Sequence, residues 1–136
     1  MLDRVLVTGG AGFVGSNFVR FLLASDRSAC IFNLDGLTYA GSLENLRDLP
    51  DPERHTFIQG DVCDEALTLR LLSEHYIDTI VNFAAESHVD RSILKPQPFV
   101  RSSVTGVFSV LEADRLGAEF IHYSTDYVFD GSKDRP

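Results

Sequence analysis

Residues Thr8–Ser16 read TGGAGFVGS: four glycines within the seven positions from 9 to 15, directly after the apolar run Val5-Leu6-Val7. Glycine loses more conformational freedom on folding than any other residue, so such a cluster marks backbone that must turn tightly or be approached closely. The flanks give it a context. Upstream, RVLVTG (Arg4–Gly9) is a short run rich in β-branched residues. Downstream, Val14, Phe18, Phe21 and Leu22 fall at i, i+4, i+7 and i+8, the apolar stripe of an amphipathic helix. The reading is strand, glycine turn, helix.

The same style of strand recurs along the chain. ACIFNLD (Ala29–Asp35), HTFIQGD (His55–Asp61), DTIVNFA (Asp78–Ala84) and AEFIHYS (Ala118–Ser124) are short runs, apolar on both faces, as buried parallel strands are. Helical patterns lie between them. Asp64–His75 carries Leu67, Leu71 and Leu72 on one face with Asp64 as its N-cap, and Val100, Val104, Val107, Phe108 and Leu111 form a later stripe. The region Gly36–Arg54 contains Gly36, Gly41, Pro50 and Pro52 and reads mostly as loop, with one turn near Leu43–Leu46. Alternation of this kind predicts an α/β fold: a Rossmann-type doubly wound parallel sheet of about five strands in the order 3-2-1-4-5, ending before the usual sixth strand.

Composition bounds the function. With 136 residues, 44% hydrophobic and 24% charged, the chain is one globular domain spanning 1–136. Its net charge of −8 disfavours a nucleic-acid partner, because an acidic surface repels a phosphate backbone. No apolar run is long enough to span a membrane, and MLDRV lacks the blocks of a signal peptide. Cys30 and Cys63 have no metal-ligand or CxxC spacing and read as cytoplasmic thiols, with no metal site.

Gly10, Gly12 and Gly15 fit G-x-G-x-x-G, and Gly9, Gly12 and Gly15 fit G-x-x-G-x-x-G. Either pattern lets a strand turn sharply, brings backbone up to a pyrophosphate and packs the next helix close, with its N-terminal amides facing the phosphates. A glycine triplet alone is weak evidence, since it is often only a turn. Here Asp35 closes the second strand 20 residues after Gly15, where a dinucleotide fold places an acidic residue on the adenosine ribose hydroxyls. A carboxylate there repels a 2′-phosphate, so the expected cofactor is NAD rather than NADP. The bland alternative for Asp35 is a strand-end turn residue.

TGGAGFVGSNFVR, NLDGLTYAGSLENL, GDVCD and NFAAESHVDRSI resemble the extended short-chain dehydrogenase/reductase (NAD-dependent epimerase/dehydratase) superfamily. Within it they look most like the dTDP-glucose 4,6-dehydratase family, from about residue 4 to residue 126; LTYAG and AAESHVDRSI are the specific segments. The resemblance implies that Phe13 and Val14 lie under the pyrophosphate. It implies that Asp35, Leu37 and Thr38 hold the adenosine ribose and neighbouring phosphate, and that Asp61 and Val62 flank the adenine. It places Ala84, Ala85 and Ser87 on the nicotinamide side, with Ser87 also reaching the sugar nucleotide, and Ser102 on NAD where the family has a threonine. Thr125 and Asp126 would be catalytic, with Thr125 also on the substrate. The implied partner is a nucleotide sugar, a dTDP-sugar foremost, and full-length members are homodimers. His88 and Asp90 read as the floor of the site and a helix cap rather than as a proton relay.

Two departures qualify what is implied. The family's Ser-Thr-Asp-Glu appears here as Ser124-Thr125-Asp126-Tyr127, within STDYVFDG, a segment like that of the dTDP-4-dehydrorhamnose reductase family. A tyrosine ionises near pH ~10, so it is a poor substitute for the glutamate that takes the C5 proton. The superfamily's Tyr-x-x-x-Lys pair does not occur in the 136 residues. The expectation is therefore the N-terminal, NAD-binding part of a longer dehydratase or epimerase, without its substrate domain and inactive alone. A keto-sugar reductase fragment and a non-catalytic dinucleotide-binding module are the alternatives.

Overall fold

The β-branched run before the glycines forms strand β1 (Arg4–Thr8), and the helix after them is α1 (Phe13–Ser25). These belong to a computed structural model that describes residues 2–84 and 117–122. Then come β2 (Cys30–Asp35), two short 3₁₀ turns (Leu43–Leu46 and Pro52–Arg54), β3 (His55–Gln59), α2 (Glu65–Glu74), β4 (Thr79–Asn82) and β5 (Glu119–His122). All pairings are parallel and the strand order is β3-β2-β1-β4-β5, as expected from the sequence. The later helical stripe at Val100–Leu111 lies outside the described residues.

Side chains alternate across the sheet because the strand period is two. Leu6, Phe32, Leu34 and Ile80 go to one face, where they share a core with Leu71 and Leu72 of α2. Val5, Val7, Ile31 and Val81 go to the other, with Val19, Leu22 and Leu23 of α1. Both faces of the central strands β1, β2 and β4 are therefore covered, as expected, whereas the edge strands depart from the expected burial: β3 has no fully buried residue and Ile121 of β5 is 48% exposed. Thr8 pairs in register with Leu34 of β2 and Asn82 of β4, so β1, β2 and β4 finish level with one another at their carboxyl ends.

The buried face of α1 differs from the expected one. Gly15, Ser16, Val19, Leu22 and Leu23 are buried, whereas Val14 and Phe21 are exposed. The helix docks through its smallest residue, Gly15, laid on the backbone of Gly9 and Gly10, and this close approach fixes its rotation. Phe18 remains partly buried and packs on Phe83 with ring centroids 5.2 Å apart.

Side chains finish both helices. Asp64 caps α2 as expected, accepting from the Leu67 amide at 3.0 Å. Arg54 closes the other end of α1: its guanidinium donates to the carbonyls of Leu23 (2.6 Å), Asp26 (2.8 Å) and Ala29 (2.8 Å) and to the Asp51 carboxylate (2.7 Å). A cation on the last carbonyls of a helix also complements its dipole. No described helix is long and apolar enough to cross a membrane.

Candidate functional site

The chain leaves β1 through Gly9, whose φ of +73° lies in the left-handed region that favours glycine. Its amide donates to the Leu34 carbonyl at 2.9 Å, and a Cβ on it would lie 2.7 Å from the Ala84 nitrogen. Gly9 is thus wedged between the ends of β2 and β4. Gly10 and Gly15 are also demanded by packing. A Cβ on Gly10 would lie 2.2 Å from Asn33 Oδ1, and one on Gly15 would lie 2.3 Å from the Gly9 carbonyl oxygen.

Gly12 is different. The nearest atoms to a Cβ there are the carbonyl oxygens of Gly9 at 3.3 Å and Ala40 at 3.8 Å. It stands at the N-cap of α1 with no side-chain cap, and the first turn holds no acidic residue. The positive end of a 13-residue helix is therefore left without an anionic partner from its own first turn. Phe13 and Val14 follow, 81% and 44% exposed.

Asp35 ends β2 beside this turn and is only 8% exposed. Its Oδ2 accepts from the Ala11 amide at 2.8 Å and its Oδ1 from the Leu37 amide at 2.8 Å. An ionised carboxylate has about four acceptor positions, so each oxygen keeps a free one. Leu37 takes a left-handed φ of +51°, a conformation that costs a non-glycine residue about 1–2 kcal/mol. The loop that follows folds back over the glycine turn. Ala11 oxygen accepts from the Ser42 amide (3.0 Å) and from Asn45 Nδ2 (2.8 Å). Arg20 on α1 holds the far part of the loop, donating to the carbonyls of Asn45, Arg47 and Asp48. Thr38 is exposed at the loop's surface.

The neighbouring strand ends complete the rim. Gly60 donates to the Asp35 carbonyl at 3.1 Å, which sets the β3 exit beside β2. Asp61 is exposed and its Oδ1 accepts from the Cys63 amide at 2.9 Å. Val62 is 8% exposed, its side chain in the core on the α2 side, so this stretch presents chiefly Asp61 and backbone to the rim. Ala84 sits at the β4 exit against Gly9. Below the rim, buried Thr8 donates its hydroxyl to Asn82 Oδ1, tying β1 to β4. Asn33 Nδ2 and His55 Nε2 approach to 3.2 Å, and burial pushes the His55 imidazole below its ordinary pKa of 6.5.

Of the expected site residues, Gly9, Gly12, Phe13, Val14, Gly15, Asp35, Leu37 and Thr38 gather at one corner of the sheet. Asp61, Val62 and Ala84 lie at the adjacent strand exits. Ala85, Ser87, Ser102, Thr125 and Asp126 lie outside the described residues, as do His88, Asp90 and Tyr127. Sequence reasoning missed Ala11, Asn33 and Asn45. Asn33 did leave a signal, as a polar residue inside the apolar run CIFNLD. Ala11 acts through its backbone and Asn45 through a fold-back contact, and neither is visible in a pattern.

A parallel sheet changes winding direction at β1, with β2 and β3 on one side and β4 and β5 on the other, and the glycine turn lies at the carboxyl end of that switch point. Such a crevice is where open α/β sheets bind ligands. The family model described as GDP-mannose 4,6 dehydratase matches residues 6–136. The chain belongs to that family. With it comes membership of the NAD-dependent epimerase/dehydratase branch of the short-chain dehydrogenases/reductases. The chain is 48% identical over 135 residues to the dTDP-glucose 4,6-dehydratase of Xanthomonas campestris pv. campestris (strain B100), covering 91% of this chain and 38% of that protein. Among solved structures it resembles the dTDP-glucose 4,6-dehydratase of Bacillus anthracis in complex with NAD, with a TM-score of 0.80, 36% identity and coverage of 90% of this chain and 37% of the other. The dTDP-glucose 4,6-dehydratase of Streptomyces venezuelae, also solved with NAD bound, gives a TM-score of 0.76 and 46% identity over 85% of this chain and 37% of the other. The chain thus spans under two-fifths of the length of these members of the family.

Proposed function

We propose that this chain is the NAD-binding part of a nucleotide-sugar dehydratase of the dTDP-glucose 4,6-dehydratase kind, a cytoplasmic homodimer in its full-length form, acting on a dTDP-sugar. The observation that carries the proposal is Gly12. Gly9, Gly10 and Gly15 are explained by the protein's own packing, with atoms 2.2–2.7 Å from a Cβ, whereas a Cβ on Gly12 would meet only the Gly9 carbonyl oxygen at 3.3 Å and the Ala40 carbonyl oxygen at 3.8 Å. A glycine kept bare at an uncapped helix N-terminus fits a ligand that brings negative charge against the backbone. A pyrophosphate has that chemistry, and Asp35, held by two amides with acceptor positions to spare, suits the ribose diol beside it.

The residues would divide the work as follows. The amides at the start of α1, with Phe13 and Val14, bind the pyrophosphate. Asp35 takes the adenosine ribose hydroxyls, while Leu37 and Thr38 line its loop, and Asp61 and Val62 border the adenine. Ala84, Ala85, Ser87 and Ser102 border the nicotinamide side, with Ser87 and Thr125 toward the sugar. NAD, when bound, supplies an acceptor for hydride from the sugar C4. Asp126 would give a proton to a departing hydroxyl.

One observation favours a second reading. Tyr127 stands where the dehydratases have a glutamate, so reduction of a keto sugar without elimination is the competing activity. Supplying dTDP-glucose or a dTDP-4-keto sugar to the full-length enzyme and identifying the product separates the two.

The test of the site is Gly12→Val. Its valine side chain would fill the space in front of the helix N-terminus, and NAD affinity is expected to fall by at least about tenfold, equivalent to about 1.4 kcal/mol. Unchanged affinity would show that no phosphate lies there.

A further inference from the structure

The segment LTYAG ends in a glycine, Gly41, that no left-handed backbone conformation requires, because its φ lies outside that region. What it does have is a neighbour. A Cβ on Gly41 would stand 2.7 Å from Asp35 Oδ1 and 3.4 Å from both Asp35 Cγ and Leu37 Cα. Real Cβ atoms do not come so close to an oxygen, so one of the two groups would have to move.

Ordinarily the end of a side chain moves cheaply. Asp35 is not free to do so. Its two oxygens are held on opposite sides, by Ala11 N–H and by Leu37 N–H, both at 2.8 Å, and the residue is 8% exposed. Charge-assisted bonds of this kind are about twice as strong as neutral ones. The Gly41 backbone is held as well, its amide donating to the Thr38 carbonyl at 3.0 Å and the next residue, Ser42, donating to Ala11 oxygen at 3.0 Å. Leu37, on the remaining side, is already in a left-handed conformation that its bond to Asp35 helps to maintain. A side chain at position 41 has nowhere to go that does not lengthen one of the bonds holding the carboxylate.

We infer that Gly41 is a positioning residue for the ribose end of the dinucleotide site: by having no side chain it lets the Asp35 carboxylate lie where it bridges the glycine turn and the 36–42 loop and still presents its free acceptor positions outward. The inference rests on the NAD-binding reading above. Its consequence is specificity. A carboxylate displaced by a few tenths of an ångström loses its fit to two adjacent hydroxyls and much of its opposition to a 2′-phosphate. Gly41→Ala is therefore expected to weaken NAD binding about tenfold and leave NADP binding nearly unchanged, narrowing the preference between them.

The experiment is calorimetric titration of the wild type, Gly41→Ala, Asp35→Ala and the double variant with NAD and with NADP, alongside urea denaturation of each. In the double variant the carboxylate that a methyl group at position 41 would crowd is gone, so the cost of Gly41→Ala, in binding and in stability, should largely vanish. The denaturation cycle reads the same coupling even if Gly41→Ala alone is too unstable to titrate. A general structural defect at position 41 would instead persist in the Asp35→Ala background, and that additive result would overturn the inference. A wild type that prefers NAD while Gly41→Ala keeps both its affinity and its preference would overturn the inference alone. A wild type that binds neither dinucleotide would overturn the functional reading, and this inference with it.

Discussion

A methyl group on Gly15 would sit 2.3 Å from the Gly9 carbonyl oxygen, whereas one on Gly12 would find nothing nearer than 3.3 Å. Three residues apart in the same motif, these glycines answer different demands. Gly15→Ala forces α1 away from the turn, and overpacking of this sort costs about 1–3 kcal/mol. Gly12→Ala exchanges one N-cap residue for a poorer one and should cost about 1 kcal/mol or less. Urea denaturation of the two variants should give that order, and a Gly12→Ala less stable than Gly15→Ala would contradict the division of roles. The glycine spacing itself was plain in TGGAGFVGS, as was Asp35 at the end of its strand. What the spacing could not reveal is which atoms stand opposite each glycine, because Asn33, Ala84 and Ala40 are supplied by other elements.

At the scale of elements, the strands and α2 followed from local chemistry: short β-branched runs, and an Asp64 cap ahead of a leucine stripe. The rotation of α1 did not. Large apolar residues at Val14 and Phe21 suggested a buried stripe, but helix docking was decided by the closest approach available, at Gly15. Arg54 was equally silent in the sequence, since its three carbonyl partners lie 25 to 31 residues away, between the end of α1 and the start of β2. Its removal leaves carbonyls at the end of α1 without their cation. Arg54→Ala should destabilise the chain by about 2–3 kcal/mol, and Arg54→Lys should recover only part of that, because a single ammonium cannot span three acceptors. Thermal or urea unfolding of the pair checks both.

The start of β3 also carries a pH dependence. His55 has a folded-state pKa below the ordinary 6.5, through burial. The unfolded chain therefore binds more protons than the folded one as the pH drops below about 6.5, so stability falls with falling pH until the folded-state value is passed. In the folded state Nε2 faces the Asn33 amide group at 3.2 Å. The difference in stability between pH 8 and pH 5.5 should be smaller for His55→Gln than for the wild type, the other histidines and carboxylates being common to both. An equal pH dependence would show that His55 protonates as readily in the folded chain as in the unfolded one.

For the whole molecule, the alternation of strand and helix was enough to anticipate the parallel order 3-2-1-4-5, because right-handed crossovers leave few other ways to cover both faces of such a sheet. That order puts a crevice at the carboxyl end of β1, and the glycine turn, Asp35 and its loop all come to it from separate stretches of chain. This corner is proposed to hold NAD through the α1 N-terminus and Asp35. If it does, binding must stabilise the fold: at a hundredfold excess over Kd, NAD should add about 2.7 kcal/mol. The most direct measurement is calorimetric titration of the chain with NAD and with NADP under the same conditions. The expected result is one site that binds NAD and binds NADP more weakly, since Asp35 opposes a 2′-phosphate. Tighter binding of NADP, or no binding of either, would contradict it.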